Sequence, residues 1–160
     1  MANIRVNYAE LSSESFKVLL SLSQSVQKTA LERTIIDLVH IRVSQINGCL
    51  FCLDMHSKEA KIHGERELRL YHLALWHESP LFTEKEKAAL EWAELLTRFE
   101  PHGVSDEAFG KIREHYSEKE ISDLTFIIAT INAWNRFGVA FRNEPGAMDK
   151  MMGLGKAGLT

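Results

Sequence analysis

The chain has 160 residues, 45% of them hydrophobic and 26% charged, which fits one globular domain and excludes disordered and collagen-like compositions. A net charge of −3 and a pI near 6.2 argue against a nucleic-acid partner, because neutralising phosphate needs concentrated Lys and Arg. No apolar run approaches the roughly 18 residues of a membrane span, and MANIRVNYAELSSES lacks the apolar stretch of a secretory signal. The expectation is a cytoplasmic protein with no membrane partner.

Helical periodicity runs through most of the chain, with Gly and Pro between the periodic stretches and no alternating run that reads as a strand. Leu11, Phe16, Val18, Leu19, Leu22 and Val26 predict a first helix over about 9–28. A second covers about 31–46 and stops at Asn47-Gly48, a left-handed C-terminal signal. The third runs over about 49–63 to Gly64, and a shorter one over about 65–76 ends before Ser79-Pro80. Thr83-Glu84-Lys85-Glu86 is a capping box that opens a long helix closed by Pro101 and Gly103. Ser105-Asp106-Glu107 starts a short helix to about His115. Ser117-Glu118-Lys119-Glu120 is a second capping box, opening a last helix to about Arg142. That helix is apolar on most sides between Ile121 and Phe141, so it is expected to be central and buried. Residues 143–160 hold four of the nine glycines and are expected as a flexible tail. The reading is an all-α domain of six or seven helices over 1–142, without internal repeats.

Cys49 and Cys52 are the only cysteines and stand together as Cys-Leu-Phe-Cys. In a reducing compartment such a pair is more often redox-active or metal-binding than a structural staple. At about 100° per residue, Cys49, Cys52 and His56 fall within a roughly 60° arc of one helix. Cys52 and His56 are i,i+4 neighbours, so their side chains can touch. Because Cys49 follows Asn47-Gly48, the pair lies at a helix N-terminus, where free N–H groups and the dipole favour a thiolate. An imidazole one turn along can take, hold or return the thiol proton. A second thiol in disulfide reach can resolve a sulfenic acid.

Three other readings of the pair compete. Buried free thiols serve as small hydrophobic groups. Zinc finds Cys-x2-Cys-x3-His but no fourth ligand, since His63 lies roughly 10 Å beyond His56 along the helix. A thioredoxin-like motif needs a flanking βαβ pattern, which is missing here. Asp37, on the preceding helix, is either a solvated edge carboxylate or a base that drains the thiol proton. His40, His72, His77, His102 and His115 lack motif partners and read as surface or capping residues. Trp76, Trp92 and Trp134 read as core or subunit interface. Arg136, inside the buried last helix, needs a partner, and a carboxylate is the natural one. Arg33, Arg42 and Glu65 read as solvated faces.

Residues 41–56, IRVSQINGCLFCLDMH, resemble the core motif of alkylhydroperoxidase D-like (AhpD-like) proteins in the carboxymuconolactone decarboxylase superfamily. Leu70-Tyr71, Trp76, Glu86 through Trp92-Ala93-Glu94, and Ile131-Asn132-Ala133-Trp134-Asn135-Arg136 are similar too, so the likeness covers most of 1–142. The resemblance implies an all-helical fold assembled as a trimer or hexamer. It implies thiol-dependent reduction of organic hydroperoxides or hydrogen peroxide, with electrons from an external dithiol such as a lipoyl- or thioredoxin-type protein. The thiols carry the redox chemistry, so no cofactor and no metal are implied. Cys52 would attack the peroxide and Cys49 would resolve the sulfenic acid. His56 would belong to a proton relay starting at a glutamate twelve residues before the first cysteine, where this chain has Asp37, one methylene shorter. Where some members carry a histidine inside the pair, this chain has Phe51. The superfamily's lactone decarboxylases are not built around such a pair, so its presence weighs against decarboxylation. The alternatives are a redox sensor whose disulfide changes its assembly, and a decarboxylase-type lyase.

Overall fold

The computed structural model describes residues 4–159, and every regular element among them is helical. The first predicted helix is two, α1 (Tyr8–Leu11) and α2 (Ser13–Val26), because Ser12 at φ −122° and ψ 45° leaves the helical region between them. Next come α3 (Arg33–Asn47) and α4 (Leu50–Ile62), with only Gly48 and Cys49 between. A short α5 (Glu67–His72) runs into a 3-10 turn (Leu73–Glu78), followed by α6 (Glu84–Thr97) and α7 (Asp106–Arg113). The long α8 (Glu118–Phe141) precedes a short α9 (Asp149–Met152) and a closing 3-10 turn (Leu154–Ala157). The described residues thus hold nine α-helices rather than six or seven, since the first splits and the tail contributes one.

Both capping boxes form, Thr83 with Glu86 and Ser117 with Glu120, and each satisfies helix-start N–H groups that would otherwise lack partners. The centre is α3, buried without interruption from Ile35 to Ile41 and again at Val43 and Ser44. It packs on α4, α6 and α8. Ile35, Val39 and Val43 of α3 join Leu124, Ile127, Ile128 and Ile131 of α8 and both cysteines in one apolar cluster. A second cluster of Leu38, Ile41, Ala60, Leu73, Trp76, Phe82 and Leu90 fills the opposite side of α3. Each of these large aliphatic side chains contributes roughly 1.5–3 kcal/mol by leaving water. No helix among the described residues is long and apolar enough to cross a membrane.

A polar clamp fastens the end of α3 to α8. Asn135 has no exposed surface; its Oδ1 accepts from Asn47 Nδ2 at 2.9 Å and its Nδ2 donates to Ser44 Oγ at 3.2 Å. Asn47 Nδ2 also donates to Asn132 Oδ1 at 2.9 Å, and Asn132 Nδ2 reaches Thr97 Oγ1 at 3.1 Å. Arg136 differs from expectation. It is exposed and donates to the Asn47 amide oxygen at 2.8 Å, so solvent and a neutral acceptor satisfy it without a carboxylate.

Residues 143–159, read from the sequence as part of a tail, are folded back on α4. Lys58 of α4 donates to Asp54 and to Asp149, each at 2.8 Å, and the Gly146 N–H donates to Asp54 at 3.0 Å. Leu154 is buried, and its turn packs on α4. The glycines that made this stretch read as loose supply left-handed turns here, with φ of 79° at Gly146 and 68° at Gly153. Asn135→Ala removes one donor and one acceptor from a site closed to water. It is expected to cost about 3 kcal/mol of stability in urea unfolding monitored by circular dichroism.

Candidate active site

The chain turns at Gly48, whose φ of 65° and ψ of 30° place it in the left-handed region. The Cys49 N–H then donates back to the Ser44 carbonyl at 3.0 Å. Cys49 becomes the N-cap of α4, and its Sγ accepts the Cys52 N–H at 3.3 Å. The two Cα atoms are 5.4 Å apart and the sulfurs are joined in a disulfide. Both cysteines are buried, at 2% and 1% exposure.

What covers them is the backbone of α8 at Gly138. A Cβ on that residue would lie 2.6 Å from Cys49 Sγ and 3.3 Å from Cys52 Sγ, so only a glycine lets the helix pass this close. Nothing in the sequence marks Gly138, because its neighbours Phe137 and Val139 continue the helical pattern.

His56 lies one turn beyond Cys52, nearly buried. Its Nδ1 is 2.6 Å from Glu59 Oε2. Burial pushes the Glu59 carboxyl up, but the bond from His56 and the charges of His56, Arg33 and His63 together hold it below the usual carboxylate range. An ionised carboxylate only accepts, so Nδ1 is the donor in this bond. Sequence reasoning missed Glu59; its one signal was the i,i+3 spacing from His56.

The His40 ring packs on His56, with centroids 4.4 Å apart and planes inclined by 38°. Expected at the surface, His40 is buried, because α3 has almost no exposed side for it to occupy. Burial first, then the charges of His56 and Arg33, pull it well below the ordinary 6.5, so it is neutral beside His56.

Asp37 is on the helix that packs against α4, as expected, and only 2% exposed. Its oxygens are taken by His63 Nδ1 at 2.7 Å and Arg33 Nε at 3.1 Å, not by His56. Burial raises its pKa, against the opposing bond from His63 and the charges of Arg33 and His63. Beside this group opens a cleft of about 320 Å³ whose walls include His63, Arg66 and Arg69. Arg42 and Glu65, read as solvated, are in ion pairs: Arg42 with Glu94 at 2.6 Å and Glu65 with Arg69 at 2.9 Å. Glu94 also accepts from Trp76 Nε1 at 2.7 Å, which fixes that indole in the second cluster. Among the described residues, no three His, Cys, Asp or Glu side chains converge as a metal site would require.

A model of the carboxymuconolactone decarboxylase family matches residues 14–95, slightly more than half the chain and inclusive of the cysteine pair. The uncharacterized protein YdfG of Bacillus subtilis (strain 168) is 42% identical over 140 residues, covering 88% of this chain and 95% of that protein. The chain belongs to the carboxymuconolactone decarboxylase family. A solved family structure from Agrobacterium tumefaciens, a protein of unknown function proposed as an antioxidant defence protein AhpD, is 41% identical. It superposes with a TM-score of 0.86 over 91% of this chain and 99% of that one. An uncharacterized peroxidase-related protein from Ralstonia eutropha JMP134, described as an alkylhydroperoxidase AhpD core, shares the fold. It has a TM-score of 0.78 at 19% identity, over 91% of this chain and 78% of that one. This family member therefore has the AhpD-like fold, with the Cys49–Cys52 pair at the start of α4.

Gly138→Ala forces a methyl group against sulfurs that the disulfide holds in place. The oxidised protein is expected to lose about 1–3 kcal/mol, and the reduced protein less, because free Cys side chains can rotate away. Paired thermal melts with and without a dithiol check the difference.

Proposed function

We propose that this protein is a thiol-dependent peroxidase acting on organic hydroperoxides or hydrogen peroxide. The observation that carries the reading is the bonded Cys49–Cys52 pair at the head of α4, with the carboxylate-held imidazole of His56 one turn along. Cys52, as thiolate, attacks the terminal peroxide oxygen. The O–O bond breaks, and the alcohol or water leaves with the proton that His56 received from the thiol. Cys52 is then a sulfenic acid. Cys49 attacks its sulfur, hydroxide departs as water, and the disulfide forms. An external dithiol reduces that disulfide and is itself oxidised, so two electrons pass from dithiol to peroxide. The Cys52 N–H directed at Cys49 Sγ stabilises negative charge on the resolving sulfur. Asp37, paired with His63, belongs to the outer part of the same ionisable group.

The AhpD-like fold and the 41% identical Agrobacterium protein support this reading. Cys52→Ser is expected to abolish peroxide turnover driven by a dithiol. Cys49→Ser should still yield a dimedone adduct at Cys52 under peroxide; no adduct there refutes the assignment of the attacking thiol. A disulfide that forms without turnover would make the protein a redox sensor instead. Activity on a lactone that survives loss of both cysteines would make it a lyase.

Self-association is part of the proposal. None of the 14 residues of α2 is buried, and Val18, Leu20 and nearby Leu11 are exposed. Leu22 and Val26 of α2 form an open groove with Phe126 of α8. A second copy of this chain, as a trimer or hexamer, would remove these faces from water. Light scattering at micromolar concentration should give a mass of three or six chains; a single-chain mass contradicts it.

A further inference from the structure

Cys52, His56 and Glu59 of α4 and His63 at its C-cap follow one another at steps of four, three and four, so they line a single face of that helix. The facing stripe of α3 carries Arg33, Asp37 and His40 at steps of four and three. Between the two helices runs a row of ionisable groups that begins at the buried sulfur and opens outward. Side-chain exposure rises from 10% at His56 to 17% at Glu59 and 34% at His63. Within the row, His56 is held by Glu59, while both oxygens of Asp37 are engaged by His63 and Arg33.

We propose that Glu59 is the positioning carboxylate of His56, and that the His63–Asp37 pair forms the solvent end of the same proton path. This rests on the thiol reading above, since it concerns the proton of Cys52. The Cys52 S–H bond breaks and an N–H bond forms at His56 Nε2, directly or through one water. The imidazolium is stabilised by the Glu59 carboxylate on Nδ1. The same proton is later given to the oxygen leaving the peroxide, which returns His56 to its neutral tautomer. His40 faces the ring without adding a second positive charge, because burial keeps it neutral. The other ionisable groups around the row are Arg33 and Asp37 from α3 and His63 at the C-cap of α4. α8 meets this end of α4 with the uncharged Gly138, and the C-terminal segment brings Asp149, which bonds Lys58.

In reduced Cys49→Ser protein, the rate of Cys52 alkylation by iodoacetamide against pH reads thiolate formation without requiring peroxide turnover. Glu59→Gln is expected to raise the midpoint of that profile by roughly one pH unit or more, because the imidazolium loses its counter-charge. Glu59→Asp should return part of the shift, and Asp37→Asn should move the midpoint less than Glu59→Gln does. With both cysteines present, peroxide turnover at pH 7 should fall about tenfold or more in Glu59→Gln. A Glu59→Gln profile that superimposes on the parent, with the shift appearing in Asp37→Asn, overturns the proposal. A shifted alkylation profile in a protein that never turns over peroxide keeps the Glu59 assignment and removes the peroxidase reading. In the unsubstituted chain, nitrogen chemical shifts of His56 should show the proton on Nδ1; a proton on Nε2 instead also overturns it.

Discussion

The site depends on the two-residue turn between α3 and α4. Gly48 reverses the chain in the left-handed region, and Cys49 immediately caps the next helix. A longer connection would let the two helices slide past one another. With so short a turn, the stripe of Arg33, Asp37 and His40 on one helix must lie against the stripe of Cys52, His56, Glu59 and His63 on the other. The ionisable row is thus a product of the turn as much as of the residues in it. The Asn47–Asn135–Ser44 clamp then secures the end of α3 to α8, and α8 presents a bare backbone to the sulfurs at Gly138.

Burial gives this row its chemical character. In water, Glu59 and His56 would be an ordinary exposed pair of little consequence. Between α3 and α4, the desolvation that opposes ionisation of Glu59 is outweighed by the bond from His56 and by three nearby positive groups. The same desolvation leaves His40 uncharged and raises Asp37. Neighbouring groups under one packing constraint are thus shifted in different directions, Glu59 down, Asp37 up and His40 down.

Much of this was legible in the sequence, for physical reasons. Capping boxes are local, so Thr83-Glu86 and Ser117-Glu120 marked their helices directly. Gly48 and the Cys49/Cys52/His56 spacing involve residues a turn apart, and helical geometry alone fixes them. What escaped depends on which face of one helix meets which face of another. The partners of Asp37, Arg33 one turn earlier on the same helix and His63 across from it, were not visible in the sequence. His40 read as a surface or capping residue because it had no motif partner, whereas the helix that carries it is buried on nearly all sides. Gly138 could not be singled out, because its role is a distance to another helix. The C-terminal glycines were read as freedom, although a glycine equally serves a turn that must pack.

Both ends of the described chain are fastened to the helices that enclose the cysteines. The Arg5 N–H donates to the Phe141 carbonyl at 3.0 Å at the end of α8, and Asp149 and Leu154 engage α4. This arrangement bears on how the protein is made. A chain emerging from the ribosome presents Cys49 and Cys52 long before α8 exists to cover them, and the segment that braces α4 comes later than α8. During that interval the pair is open to any oxidant or foreign thiol. Burial of the sulfurs is therefore a property of the finished molecule, and the nascent chain passes through a stage in which its most reactive residues are its least protected.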